Sequence, residues 1–311
     1  MTVTRPARLT GAALCAALAL TVAVWILQDL AVLGSPVDLA RYWAGDHRFP
    51  TRGRSATSPL DPVLLAAYAA TAVAALRSPH AASALAAAGT ATLALRLPGL
   101  WAAGNGALVT ALLELALAAG LLLTAAVGRP ADAPHEPRPA RPRTGPAVTA
   151  GILLAAAALL LALGELYRAG ALPLEATVDR FTGGRSVVAP ALAPPPGWLS
   201  AIAAGLYGTA AVSCLLRARH ARAFGLLAAA LLTADGLGGV ARAVRYETLT
   251  RLGDLAAPDA ADVLTSVFEL LAGLAVLVLL AGRDAPSAAP GPHPAAGARP
   301  PAPPHPTPPG W

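Results

Sequence analysis

The sequence predicts an all-α fold: a polytopic transmembrane helix bundle of about eight helices, arranged as two parallel four-helix repeats. Three observations predict it. Of 311 residues, 56% are hydrophobic and 13% charged, against roughly 25% charged in soluble domains, so too little charge is present to clothe a water-facing surface. Apolar runs of about 18 or more residues recur, each long enough to cross roughly 30 Å of hydrocarbon. Several polar landmarks also occur twice, in the same order.

The mean hydropathy is +0.58. The formal charge of +6 comes from 23 arginines with no lysine. These arginines lie mostly between the apolar runs, which reads as membrane topology rather than nucleic-acid binding. An arginine-only, Ala- and Pro-rich chain also fits a GC-rich bacterial genome. Cys15 and Cys214 fall inside apolar runs. Two cysteines make neither a disulfide framework nor a four-thiolate cluster, so core filling is expected of them.

The first span is expected over residues 9–30, after Arg5 and Arg8. It is long for a signal-peptide core and no clean A-x-A site ends it, so an uncleaved helix is expected. The second and third spans cover 62–76 and 81–100, and the fourth 107–127. An arginine- and proline-rich linker follows at 129–145, holding Arg129, Arg138, Arg141 and Arg143. The fifth span covers 147–166. A more polar stretch, 167–197, leads to the sixth span at 198–216. The seventh and eighth cover 223–244 and 263–281. The organisation is then a first membrane repeat (1–128), a cytoplasmic linker (129–145), a second membrane repeat (146–283) and a Pro-rich tail (284–311). That tail has no helical period and cannot bury a core, so polyproline-like disorder is expected.

The dense cluster Arg217, Arg219 and Arg222 lies in a short turn, where orienting signals are strongest. It places both termini in the cytoplasm, in a bacterial cytoplasmic membrane. Trp101 and Trp198 then fall at the outer interface. His80 and His220 sit in matching turns beside arginines. Solvated turns are the plain reading and anionic lipid headgroups the alternative.

The repeat rests on residues. Leu-Arg-Ser-Pro-His (76–80) is matched by Leu-Arg-Ala-Arg-His (216–220), and each histidine is followed at the same distance by a Leu-x-Gly step (Leu97 and Leu237). Glu114 corresponds to Glu269 in the last helix of each copy. Asp29-Leu30 and Glu165-Leu166 close the first helices, and Val-Asp pairs follow at Asp38 and Asp179. A four-helix unit crosses an even number of times, so both copies insert the same way, as in transporters with two like halves.

Ionisable groups inside a bilayer cost roughly 2.5–3.5 kcal/mol each on insertion scales. Glu114 and Glu269 lie about seven residues inside their helices, roughly 10 Å deep. Arg96 and Glu114 are nearly equidistant from the hairpin turn between spans three and four, which predicts an ion pair. Asp235 lies close to the position of Arg96 in the second copy and is expected near Glu269, with Arg242 or Arg245. Asp29 and Glu165 are expected at or above the same level. The candidate polar cluster is therefore Asp29, Arg96, Glu114, Glu165, Asp235, Arg242 and Glu269. It reads either as an outward polar cavity or as paired charges that lock helices together. Tyr68 and Tyr207 recur in helices two and six, either as helix–helix hydrogen bonds or as cavity linings.

No histidine lies within a span, which excludes bis-histidine haem ligation. No P-loop, H-E-x-x-H or G-x-S-x-G motif occurs. No catalytic residue, metal site or cofactor is expected.

The stretches GLYGTAAVSCLLR (205–217), GLGGVARAV (236–244) and VFELLAGLAVLVLLAGR (267–283) resemble an uncharacterised bacterial four-helix membrane family, distantly similar to DoxX-like proteins. The resemblance implies a small-residue helix, a Gly-Gly-x-x-Arg step ending in Arg242, and a Glu-Leu helix carrying Glu269. In the first copy Trp101-Ala102 follow Pro98-Gly99 where that step has its arginine. Three readings remain: a non-enzymatic scaffold or accessory subunit, a small-molecule or proton-coupled carrier with an outer cavity, and a redox or quinone-linked subunit. The partner is the lipid bilayer, and no nucleic acid is expected.

Overall fold

The computed structural model describes residues 4–45, 55–78, 81–102, 105–128, 143–187 and 189–282. The linker arginines Arg129, Arg138 and Arg141, His80 and the Pro-rich tail lie outside the described residues.

Helix α1 (Arg5–Leu33) begins with Pro6 in its first turn, where a missing N–H costs nothing, and ends at Gly34, whose φ of +78° suits glycine. Ser35 then caps α2 (Pro36–Trp43) by accepting from the Val37 N–H at 3.2 Å. Helix α3 (Leu60–Arg77) is followed by α4 (Ala82–Arg96), the single turn α5 (Gly99–Ala102) and α6 (Asn105–Val127). The second half repeats this grammar: a long α7 (Thr144–Ala171), a short α8 (Leu174–Thr182), α9 (Pro196–Leu215), α10 (Ala221–Arg245) and α11 (Ala257–Ala281). Both short helices carry an acid near the start and an arginine in the last turn, Asp38 with Arg41 and Glu175 with Arg180, which complements the helix dipole.

Seven helices (α1, α3, α6, α7, α9, α10 and α11) are long and apolar enough to cross a membrane. The chain is a multi-pass helical bundle. The third expected span differs from expectation. Its α-helix stops at Arg96 after 15 residues, about 22 Å at 1.5 Å per residue. Pro98 brings no N–H to the ladder, and the chain resumes as α5. Helix α4 nevertheless runs between the same two ends as α3. Arg8, at the start of α1, donates from Nε to the Ala75 carbonyl at 2.7 Å and from Nη2 to the Leu76 carbonyl, at the end of α3. At the other end Arg96 closes α4 against Asp61, near the start of α3. The Thr4 N–H donates to the Gly128 carbonyl at 2.9 Å, so α6 finishes where α1 begins.

Apolar residues surround these helices rather than forming one stripe, as expected of a bundle in lipid. The large ones point outward: Leu123 is 65% exposed and Val278 74%. Small ones dominate the interior, because without water to drive association, close backbone approach is what binds helices. Helices α10 and α11 show it best. A Cβ on Gly236 would overlap the Glu269–Leu270 backbone, one on Gly239 the Ser266 side chain, and one on Gly273 both Thr233 and the Ala229 carbonyl.

Helix α1 packs on α3 and α6, and α4 on α6. Likewise α7 packs on α9 and α11, and α10 on α11. The halves are not separate bodies: residues through Ala281 form one unit. One core joins Cys15, Leu18 and Tyr68 to Leu154, Tyr207 and Cys214.

Candidate functional site

The predicted cluster divides into four places. The first is a closed triad. Arg96 Nη2 donates to Asp61 Oδ1 at 2.6 Å, and its Nε lies 2.6 Å from Glu114 Oε2 without hydrogen-bond alignment. Arg96 Nη1 donates to the Leu192 carbonyl at 2.8 Å. All three charged side chains are at most 3% exposed. The Arg96–Glu114 pair expected from the hairpin count is present, and Asp61 is the partner the sequence reading missed. Its signal was there: Ser58-Pro59-Leu60-Asp61 has the S-x-x-D spacing of a capping box, and Asp61 Oδ2 accepts from the Ser58 N–H at 2.6 Å and the Ser58 hydroxyl at 2.9 Å. One level deeper, the Tyr68 hydroxyl and Thr92 Oγ1 are 2.7 Å apart.

Asp29 stands apart from this triad. Its carboxylate accepts from the Ala56 N–H at 3.0 Å, the Thr57 N–H at 2.7 Å and the hydroxyls of Ser55 and Thr57 at 2.5 Å each. It anchors the segment that leads into α3. Glu165 has the matching task in the second half. It receives Arg180 of α8 in bidentate fashion, at 3.0 and 2.8 Å, and Arg168 lies 3.5 Å from the same carboxylate. Asp29 and Glu165 are therefore tethers for the segments after α1 and α7, and Glu165 also reaches the chamber wall through Arg168.

The fourth place is a chamber of about 760 Å³, lined by Asp235, Arg242, Glu269, Arg168 and Asp262, with Ser58–Leu60 of the first half and the proline-rich 189–196 segment among its walls. Asp235 and Glu269 were expected together with Arg242, and all three line it. Asp235 Oδ2 accepts from the Tyr207 hydroxyl at 3.0 Å. Glu269 is 6% exposed, and no hydrogen bond or ion pair reaches it among the described residues. Arg168 donates to Asp262 at 2.9 Å, with Asp262 65% exposed, so that pair marks the wet rim. Arg168 and Asp262 were missed because hydropathy marks the hydrocarbon layer, while α7 and α11 run on past it to Ala171 and back to Ala257.

Counting on from the matched histidines, the position of Arg96 falls on Gly236. The second half has close backbone contact where the first has a guanidinium. That substitution, with no acid in α9 to match Asp61, leaves Glu269 without the partners that enclose Glu114.

Trp101 and Trp198 meet edge to face with ring centroids 5.7 Å apart. This contact and the Arg96–Leu192 bond place the corresponding ends of the two halves at one level. Every acid among the described residues belongs to that end. The opposite end carries Arg5, Arg8, Arg77, Arg143, Arg217, Arg219 and Arg222. At that end His220 Nε2 lies 3.1 Å from Ser213 Oγ and its ring packs on Phe224. Among the described residues, no group of three or more His, Cys, Asp or Glu side chains is placed to hold a metal ion.

Fold and site together define a class: a multi-pass helical membrane protein with one closed and one open buried polar centre. No family model, curated protein or solved structure matches the chain, so the DoxX-like resemblance rests on the residues quoted for it.

Proposed function

We propose that this is a non-enzymatic protein of a bacterial cytoplasmic membrane, with a structural first half and a second half that binds a small polar ligand in the Asp235–Glu269 chamber. One observation carries the reading. Glu269 is nearly enclosed, unpartnered and on the wall of a roomy cavity, and an unpaired carboxylate at such a place is expensive unless something occupies it. Glu114, its counterpart, lies against Arg96, is fully buried and lines neither the chamber nor the cavity adjoining it.

The termini lie in the cytoplasm and the chamber opens outward, because the arginine-rich end then obeys the positive-inside tendency. The chain is an internal duplication. Supporting this are the matched helix pairings and a reciprocal contact: Gly89 abuts Ala118 in the first half, while the corresponding Ala229 abuts Gly273 in the second. The tight-packing glycine has moved from one helix of the pair to the other.

The test is side-specific access in a background with Cys15 and Cys214 replaced by alanine. Glu269→Cys reacts with a membrane-impermeant thiol reagent from the outer face, and Glu114→Cys does not. Silence of Glu269→Cys from both faces ends the reading. A carrier is the second reading, favoured by the chamber's use of walls from both halves. It requires uptake by reconstituted protein that falls when Glu269 becomes glutamine.

A further inference from the structure

A second cavity adjoins the chamber. It is a groove of about 950 Å³ between α3, α4 and α10. Its wall follows α3 from Pro62 to Ala74 and α10 from Ala241 to Ala223, a run of about 18 Å along α3 at 1.5 Å per residue. Ala66, Ala70, Ala230 and Leu227 are typical of it. Of its two threonines, Thr71 and Thr233, the Thr233 hydroxyl already donates to the Ala229 carbonyl, at 2.7 Å. This groove offers a ligand hydrocarbon contact and almost nothing polar.

Chamber and groove share four lining residues: Trp43, Pro59, Ala234 and Gly238. Two of these are the smallest side chains available, on the face of α10 between the cavities. Trp43 is the one bulky member, and its indole N–H donates to Thr57 Oγ1 at 3.3 Å, which fixes the ring at the junction. Thr57 is in turn held by Asp29. A polar pocket thus continues into an apolar trough with a rigid aromatic at the corner.

The charges choose the head. Arg168 is taken by Asp262 and Glu165. The chamber's ionisable walls are three carboxylates, Asp235, Asp262 and Glu269, against two guanidiniums, Arg168 and Arg242. Formally one negative charge is left over, at the deep end where Asp235 and Glu269 face the cavity. We infer that the two cavities hold one ligand: an amphiphile whose ammonium head sits between Asp235 and Glu269 and whose alkyl chain lies along the α3–α10 groove. This rests on the chamber being a binding site. It adds the chemical class of the occupant.

The experiment uses the full chain in lipid nanodiscs and hexadecylamine bearing a diazirine near its chain end. Illumination is expected to label the α3 and α10 peptides that contain Ala70 and Ala230. Excess hexadecylamine competes and hexadecyl sulfate does not. Asp235→Asn with Glu269→Gln lowers this labelling by about tenfold, the effect of losing roughly one charge-assisted contact. Ala70→Leu with Ala230→Leu fills the groove and abolishes it. Butylamine protection of Ser200→Cys, a chamber-wall position that leaves both carboxylates in place, should survive in the filled-groove variant, which shows that the variant is folded and the head site intact. Labelling spread over outward residues such as Leu123, without competition, would mean bulk lipid only and would overturn the inference. So would equal competition by the sulfate. If butylamine protects while the groove stays unlabelled, the chamber reading stands and the amphiphile falls. If Glu269→Cys cannot be reached at all, both fall.

Discussion

Glu114 and Glu269 occupy matching places in α6 and α11, with a hydrophobic residue before each and leucine after, yet they meet opposite fates. Glu114 is locked under Arg96, which also holds Asp61 and the Leu192 carbonyl. Glu269 looks into a chamber, and no hydrogen bond or ion pair reaches it among the described residues. The difference lies in the neighbouring helices: Gly236 where α4 has Arg96, and no acid in α9 to match Asp61. An arginine in α4 ties both buried carboxylates of its half to one guanidinium. A glycine at the matching place in α10 lets two backbones touch and leaves the carboxylate over. A sealed polar centre and an open one demand incompatible packing, and the two halves of the bundle hold one of each.

The sharpest way to break this comparison is to remove the arginine. Arg96→Met leaves Asp61 and Glu114 buried together, and breaking a buried pair in this way costs about 3–5 kcal/mol. Folded, monodisperse protein in mild detergent should fall accordingly on titration with a denaturing detergent. Adding Asp61→Leu and Glu114→Leu should restore most of the loss, because the carboxylates rather than the missing arginine are the burden. If Arg96→Met alone is neutral, the triad is not closed.

Next in size is the tether. Asp29→Ala orphans the Ala56 and Thr57 N–H groups and two hydroxyls, at a cost of about 2–3 kcal/mol. The same titration should report it, and protease cutting near residue 56 should increase.

Gly236→Ala tests the glycine side of the comparison. Its methyl would strike the Leu270 backbone, and overpacking of this kind costs about 1–3 kcal/mol. Gly238→Ala meets nothing within 4 Å and serves as the silent control. Equal behaviour of the two variants would remove the tight α10–α11 contact from the argument.

Asp235→Asn with Glu269→Gln should leave stability unchanged or raise it, because neutralising an unpaired buried carboxylate removes a desolvation cost. A large loss in the same denaturing titration would mean that the chamber is a structural centre like the triad.

The smallest effect lies outside the membrane helices. The Ser186 backbone N–H, followed by the Ser186 hydroxyl, holds the Asp179 carboxyl below its usual value. A carboxyl with a depressed folded pKa contributes order above its unfolded value of about 3.9 and loses it as pH falls through the folded one. The protection factor of the Ser186 amide, corrected for intrinsic exchange, should therefore fall below that range in the native chain and stay constant there in Asp179→Asn.

Much of this was legible in the residues. All eight apolar runs became helices, the Arg96–Glu114 pair followed from a hairpin count, and Asp235, Glu269 and Arg242 were placed together. That Asp29 and Glu165 each hold the segment after their helix was not legible, because depth along a helix says nothing of which loop folds back onto it. Asp61, Arg168 and Asp262 were lost at helix ends, where hydropathy fades before the helix does.

The sequence by itself determined the class of protein, the order of its helices and the concentration of acids toward one end. Those are additive properties of short windows, since the cost of placing a residue in hydrocarbon is nearly independent of distant neighbours. Which glutamate is sealed and which is offered was decided by tertiary structure. That outcome depends on whether a side chain from another helix reaches the carboxylate, and burial makes the presence or absence of that one contact decisive.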